Sequence, residues 1–388
     1  MARPEGRTVL TSEDAVIAAE KLGYPVLVRP SYVLGGQGME IAYNKENIVE
    51  YMSIIGKTKQ EHPILIDKYL IGKEIEVDAI CDGQDILIPG IMEHIERAGV
   101  HSGDSISVYP PQSLQSSFIE KIVESTRQLA ISLKVIGLMN IQYIEHQGDL
   151  YIIEVNPRSS RTIPYISKVT GVPMVELATR VIMGEYLKDM GYGVGLYPTK
   201  NIIAVKVPVF SFDKLPQVEI SLGPEMKSTG EVLGIGHTFS EALFKGFVGA
   251  GYKFEKTGNV FISVANPDKQ EVIPLAYTFY SLGFNILATS GTAHVLNSNF
   301  IPASVISRIG DESPNILDYI EQGKIHAIIN TPTKGRIPQR DGFKIRRKAV
   351  ENAVPCMTSL DTAGALLECL KLAAKADDAV SILAIGGI

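Results

Sequence analysis

The chain has 388 residues, 45% hydrophobic and 21% charged, with a formal net charge of −6. That length gives room for two or three domains, and the composition is that of an ordinary globular protein. The acidic balance argues against nucleic acid as a partner, the lack of an apolar run of 18 residues argues against a membrane span, and the first seven residues lack the apolar core of a signal peptide.

Residues 12–23 read as a helix: Ser12 caps it, Glu13 and Asp14 suit its start, and Gly23 ends it. A strand over 26–29 is followed by Pro30 and a loop over 31–39. Next come a strand over 40–43, a helix over about 45–55 and a buried strand over 64–70. From Gly72 to about Val207 the pattern reads as a larger α+β unit, with strands near 74–81 and 86–93 and a helix near 115–133. Two apolar strands, 138–143 and 150–155, are joined by a polar turn over 146–149 and read as a hairpin that Pro157 stops. Helices follow near 163–170 and 173–187. Residues 188–235 are rich in glycine and proline and hold mostly short elements, and a helix near 239–250 precedes a boundary at 253–259. Beyond it strands and helices alternate, with a helix over 346–352 and a last one over 360–374; this is the pattern of a parallel sheet with helices on both faces. Cys81, Cys356 and Cys369 are odd in number and unpatterned, which fits packed thiols in a reducing cytoplasm.

The hairpin carries the densest chemistry. Glu154 and Asn156 share a strand face, and Gln142 lies on the partner strand. A carboxylate and two amides offer oxygens alone, which suits hard Mg2+ or Mn2+. Arg158 and Arg161 follow at once as clamps for anionic oxygen. Metal ligands beside cationic clamps form a phosphoryl-transfer site; the plain alternative is a hairpin with a solvated polar end.

The run Gly35-Gly36-Gln37-Gly38 sits between two strands. That context excludes a P-loop or a dinucleotide fingerprint and leaves either a flap of backbone N–H groups over phosphates or a plain tight turn, with Arg29 supplying charge nearby. Lys68 and Leu70 with Glu74 form a candidate hinge for adenine and ribose, or an exposed Lys and Glu flanking a linker. Residues 92–105 concentrate polar groups. They show neither the His-x-x-x-His spacing nor the third ligand of a zinc site, and adjacent His101 and Ser102 do not make a nucleophile–base pair. A nucleotide and substrate loop remains. In the last third, Thr289, Ser290 and Thr292 end a strand and open a helix, a ready anion site. Ser263, Lys269, Arg308, Asn330, Thr331 and Lys334 lie at other strand ends or loops of the same sheet, where ligands of such sheets bind; ordinary helix capping is the alternative.

Six runs together resemble the carboxy-terminal portion of the large subunit of carbamoyl phosphate synthetase: V-R-P-S-Y-V-L-G-G at 28–36, G-I-M-E-H-I-E-R-A-G-V-H-S-G-D-S at 90–105, G-L-M-N at 137–140, E-V-N-P-R-S-S-R-T at 154–162, S-K-V-T-G-V-P at 167–173 and L-G-P-E-M-K-S-T-G-E-V at 222–232. The run from Arg161 to Tyr165 is similar to the second, carbamate-phosphorylating half. The resemblance implies α/β and α+β architecture: a truncated ATP-grasp fold of two α+β subdomains (1–72 with the glycine-rich flap, 73–251 with the metal and carbamate site), then a parallel-sheet α/β methylglyoxal-synthase-like allosteric domain over 252–388. It implies ATP contacts at Arg29, Gly35, Gly36, Gly38, Lys68, Leu70, Glu74, Gly99, Val100, His101, Ser102, Gln142 and Glu154, and two Mg2+ or Mn2+ ions at Gln142, Glu154 and Asn156, with K+ a further candidate ion. Arg158 and Arg161 would hold carbamate and the moving phosphoryl group.

The implied partners are a glutaminase small subunit, the absent amino-terminal synthetase half and a nucleotide monophosphate effector (UMP, with IMP or ornithine as alternatives), in the cytoplasm. The chain starts inside the ATP-grasp region, which marks it as an engineered or natural fragment. It departs from the family pattern at Gln37 in the flap, Lys68 in the hinge, Val207 in place of an ornithine-binding glutamate although Glu96 and Asp104 remain, and Pro332 in the effector-phosphate loop. Two other functions compete: a fragment that binds nucleotide and effector without turnover, and another ATP-grasp ligase or biotin carboxylase relative.

Overall fold

A computed structural model describes residues 2–31, 35–55, 63–215, 218–311, 313–332 and 341–375. They form two compact units. The first runs to Lys206 and takes back Gly223–Met226; the second holds Val207–Leu222 and the described residues from Lys227 to Lys375.

In the first unit, a four-stranded antiparallel sheet has the order Gly6–Val9, Ile64–Lys68, Val26–Pro30, Glu40–Ala42. Val26, Val28, Ile64 and Ile66 turn inward and pack with Ala15, Ala19 and Ile48 of helices Ser12–Leu22 and Lys45–Ile55. The first helix is capped by Thr11, not Ser12: the Thr11 hydroxyl accepts the Asp14 N–H at 3.0 Å.

A larger antiparallel sheet follows in the order Asp149–Asn156, Gly137–His146, Lys73–Cys81, Ile91–Arg97, Ser107–Tyr109, then residues Ala204 to Lys206 of the strand Ile203–Val209. The strand expected over 86–93 is two, Ile86–Ile88 and Ile91–Arg97. Pro89 brings no N–H to the ladder, and a Cβ on Gly90 would collide with the Tyr109 ring. Strand Lys73–Cys81 has two characters. Ile75, Val77 and Ala79 share a core with Phe118 and Ile122 of helix Ser116–Ser132, while the alternating Glu74, Glu76 and Asp78 fall on the other face and are buried too. The hairpin turn is tight because Gln147 (φ 54) and Gly148 (φ 84) both take the left-handed region, the signature of a type I′ connection.

The second unit is built on a five-stranded all-parallel sheet ordered Ala303–Val305, Phe284–Ala288, Gly258–Ser263, Ala327–Asn330, Cys356–Met357. Val260, Ile262, Phe279, Leu296 and Leu366 form much of its core. Strand Cys356–Met357 was not expected, and the helix expected over 346–352 is Asp341–Glu351. The stretch over 188–235 also holds longer strands than expected, the seven-residue Ile203–Val209 and Gly230–Gly236. No helix among the described residues is long and apolar enough to cross a membrane.

Candidate functional site

A cleft of about 760 Å³ opens in the first unit. Arg29 and Lys68 line it from the small sheet, Glu74, Gln142, Glu154 and Asn156 from the large one, and Gly99, Val100, His101, Ser102 and Arg158 from loops; Gly35, Gly36 and Leu70 also reach it. Gly38 and Arg161 are not among its lining residues.

The hairpin register depends on one irregularity. Ile152 pairs with Tyr143, and simple alternation would then set Glu154 opposite Ile141. A register shift between Ile152 and Glu154 instead pairs Glu154 with Gln142 and Asn156 with Asn140. A bulge of this kind re-aims side chains, and here it brings the carboxylate and the amide opposite each other. Gln142 Nε2 donates to Ser102 Oγ at 3.0 Å, and Asn156 Nδ2 donates to Glu154 Oε1. Both amides thus direct their N–H side to neighbours and leave carbonyl oxygens for a cation. No group of three His, Cys, Asp or Glu side chains that could hold a metal occurs among the described residues. One carboxylate with amide oxygens fits Mg2+ in particular, which binds through one or two carboxylates and completes its shell with water and substrate phosphates.

Behind the hairpin lies a layer of buried charge. Burial, then the neighbouring charges of Glu76 and Glu154, pushes the Glu74 carboxyl up to about 8. Burial, then the charge of Glu76, likewise raises Asp78. Glu76 moves the other way: burial alone would raise it, but His94, Lys206 and Asn140 more than offset that. Burial holds His94 below the usual imidazole range. Lys206, itself 1% exposed, donates from Nζ to the Ser102 carbonyl at 2.8 Å. Ser102 is thus held on its side chain by Gln142 and on its backbone by Lys206. Burial also depresses His101, whose Nδ1 accepts the Gly103 N–H at 3.0 Å. Of this layer, Glu76, Asp78, Asn140 and Lys206 drew no notice as site residues; the one signal was three carboxylates at alternate positions of an otherwise apolar strand.

The other expected contacts vary in how they are committed. Arg29 Nε stands 2.8 Å from Asp67 Oδ2, an ion pair at the cleft wall; burial, only partly countered by Arg29, raises Asp67. The Lys68 ammonium donates to the Gly23 carbonyl at 2.7 Å, at the end of the first helix. Gly35, Gly36 and Gly38 all take positive φ, Met226 N donates to Gly35 O at 3.0 Å, and a Cβ on Gly36 would strike the Pro224 carbonyl. Arg158 bends back to the Ser159 carbonyl at 2.8 Å, and Arg161 Nη1 lies 3.0 Å from Met226 Sδ.

In the second unit, the strand order reverses between Gly258–Ser263 and Ala327–Asn330, the switch point where such sheets take ligands. Ser263 and Asn330 are register partners there, and Asn330 Nδ2 donates to the Ser263 carbonyl at 3.2 Å. Asn330 Oδ1 accepts from Arg346 Nη1 at 2.6 Å, and Arg346 also grips Glu219 through Nε (2.8 Å) and Nη2 (2.6 Å). Thr331 Oγ1 accepts the Ala265 N–H at 2.9 Å. These amides and hydroxyls already brace the sheet edge. Thr289 caps helix Ser290–Ser298 without a side-chain cap bond and donates to Thr292 Oγ1 at 3.3 Å. Lys269 Nζ comes so close to Gly291 that a Cβ there would stand 2.9 Å from it. Arg308 N donates to Asp311 at 3.2 Å, and Lys334 lies outside the described residues.

Comparison with known proteins agrees with the fold of both units. Residues 2–190 match the carbamoyl-phosphate synthase L chain ATP-binding domain, and residues 271–358 match the MGS-like domain. The fold is therefore an ATP-grasp unit followed by a parallel-sheet MGS-like unit. The chain is 57% identical over 369 residues to the carbamoyl phosphate synthase large chain of Lachnoclostridium phytofermentans and 55% identical to that of Clostridium botulinum strain Langeland, in each case over 95% of this chain and 35% of the relative. The chain thus carries an ATP-binding domain and an MGS-like domain similar to those of carbamoyl phosphate synthase large chains, and it spans about a third of the length of the curated relatives it matches. The ADP complex of N5-carboxyaminoimidazole ribonucleotide synthetase shares the fold, with a TM-score of 0.50 at 16% identity over 63% of this chain and 66% of that one.

Proposed function

We propose that this chain phosphorylates carbamate with ATP, giving ADP and carbamoyl phosphate, as one half-reaction of a larger glutamine-dependent synthase serving pyrimidine and arginine biosynthesis. The observation that carries the reading is the convergence of Arg29, Glu74, Gln142, Glu154, Asn156 and Arg158 on one cleft of a family ATP-binding domain. The peptide around Lys68 and Leu70 takes the base, and Glu74 takes the ribose. Gly99 to Ser102, fixed from behind by Lys206 and Gln142, and the glycine turn at Gly35, Gly36 and Gly38 cover the phosphates. Arg29 adds positive charge on the small-sheet wall.

Gln142, Glu154 and Asn156 would hold divalent ions, Mg2+ or Mn2+, which supply charge neutralisation on the phosphates when bound. Arg158 and Arg161 orient the carbamate and stabilise charge on the transferring group. A carbamate oxygen attacks the γ-phosphorus in line; the P–O bond to ADP breaks as the new one forms. The nucleophile is already anionic, so no general base is required. Positioning accounts for most of the acceleration.

In the second unit, Ser263, Lys269, Thr289, Ser290, Thr292, Arg308, Asn330, Thr331 and Lys334 form the candidate effector region, and a pyrimidine monophosphate such as UMP is its ligand. A glutaminase small subunit and the other synthetase half are the implied protein partners, in the cytoplasm. The share of the relatives that this chain spans favours one second reading: binding of nucleotide and effector without independent turnover. ADP release with and without carbamate separates the two. Carbamate-stimulated release supports the enzyme, whereas nucleotide binding with no stimulation supports the binding module.

A further inference from the structure

Asp78 lies at the centre of the large sheet and is 0% exposed. Its carboxylate accepts three hydrogen bonds. Asn140 Nδ2 reaches Oδ1 at 2.9 Å, Ser160 Oγ reaches the same oxygen at 2.7 Å, and Thr162 Oγ1 reaches Oδ2 at 2.5 Å. Asn140 is its direct partner on the neighbouring strand and in turn pairs with Asn156 on the hairpin's outer strand. Ser160 and Thr162 flank Arg161, and their hydroxyls lie 2.8 Å apart. Asp78 therefore joins the hairpin to the loop that carries both arginines; Glu76 Oε1 also takes Asn140 Nδ2 (2.9 Å) and, at a longer 3.3 Å, Thr162 Oγ1, but only Asp78 reaches Ser160 as well.

Two further observations separate this from ordinary core packing. Thr162 occupies the N-cap of helix Ile163–Thr170, yet its side chain makes no cap bond. A threonine there ordinarily accepts a helix N–H; this one gives its hydroxyl to Asp78. Moreover, no Lys or Arg pairs with Asp78 among the described residues, although a buried carboxylate is costly unless fully hydrogen-bonded or paired. The loop hydroxyls supply what a cation would.

We propose that Asp78 is a positioning residue that fixes the loop from Arg158 to Thr162 against the hairpin, so that the arginines meet the acceptor end of the cleft. The role of those arginines rests on the reading given under Proposed function; the tie itself does not. Asp78→Asn keeps the side chain's size but removes the charge and one acceptor. Ser160→Ala and Thr162→Val each remove one loop hydroxyl while the Asp78 carboxyl itself stays in place, and Thr162→Ser retains the hydroxyl.

The test compares the whole chain and these variants by amide hydrogen exchange and by carbamate-dependent ADP formation. In Asp78→Asn, exchange over 158–162 should quicken by about tenfold or more while strand Lys73–Cys81 stays protected, as expected for local opening. Turnover should fall by roughly a hundredfold, the scale of a small misplacement of reacting groups, with the KM for ATP within about threefold of wild type. Thr162→Val should share part of both effects, and Thr162→Ser should restore them. Unchanged exchange over 158–162 in both Asp78→Asn and Thr162→Val overturns the proposal. A loosened loop with full turnover also overturns it, and so does an equal collapse of ATP affinity, which would make Asp78 a shaper of the nucleotide cleft. A wild-type chain without carbamate-dependent turnover rejects the functional reading instead, and the exchange comparison then judges the tie by itself.

Discussion

Glu154 stands opposite Gln142 across the hairpin only because the register shifts by one residue after Ile152, and Gln142 then reaches Ser102 on a separate loop. The carboxylate is thus aimed by a bulge; it accepts from Asn156 Nδ2 and faces an amide that is itself held by Ser102. Glu154→Gln preserves the shape and removes the charge. We expect metal-dependent phosphoryl transfer to fall by roughly a thousandfold or more, as for other electrostatic contributions to catalysis, with no loss of fold by circular dichroism. ADP formation near the wild-type rate in the variant would reject the assignment.

Arg158 and Arg161 should separate acceptor chemistry from nucleotide binding. Only Arg158 lines the cleft; Arg161 lies against Met226. Arg158→Ala and Arg161→Ala are each expected to depress carbamate-dependent turnover by about a hundredfold while ATP affinity, measured by calorimetry, changes little. Collapse of ATP affinity with bound ATP still turned over normally would reverse the roles.

Much of the fold was legible, and the reasons are local. The hairpin announces itself through two apolar strands around Gln147 and Gly148, and the alternating elements after residue 258 give the parallel sheet. The bulge carries no sequence signal: counting by twos from Ile152 sets Glu154 against Ile141, and only the three-dimensional register opposes it to Gln142. Glu76 and Asp78 escaped notice as site residues because a carboxylate in a strand ordinarily means a solvated face. Here that face is covered, and Asn140, Thr162, His94 and Ser160 satisfy it. Lys206 lay in a glycine- and proline-rich stretch read as short elements. Cys356–Met357 is a two-residue strand, too short to show any period.

Glu74 predicts an unusual pH dependence. Its folded value, about 8, lies above the ordinary 4.5 of a glutamate. The folded state therefore binds the extra proton between those limits. This contribution to stability is complete below about 4.5 and is lost as pH rises toward about 8, at no more than about 1.4 kcal/mol per pH unit. Glu74→Gln should flatten the fall in melting temperature between pH 5 and 8, which a thermal unfolding series of both proteins checks. Parallel slopes would show that Glu74 is already ionised in the folded protein.

The effector region makes a simpler prediction. Lys269 beside the start of helix Ser290–Ser298 combines a full charge with the favourable end of the helix dipole. Titration of the whole chain with UMP, IMP and inorganic phosphate should show binding, and Lys269→Ala should weaken it by about 1.5–3 kcal/mol, the usual value of a charge-assisted contact. No heat with any of the three at millimolar concentration would remove the site; preference for IMP would change only the ligand.

The four residues Gly223–Met226 return to the first unit after the chain has already left it at Lys206. Gly223 O takes the His101 N–H, and Met226 N binds Gly35 O. The unit that holds the cleft is consequently not a contiguous stretch of polypeptide. A gene truncated after Lys206 would encode the whole large-sheet side of the cleft, yet its product would lack the backbone partners of His101 and of the glycine turn. A protease cut between Lys206 and Gly223 leaves every cleft residue present, but turns a covalent return into a bimolecular one that dilution can undo.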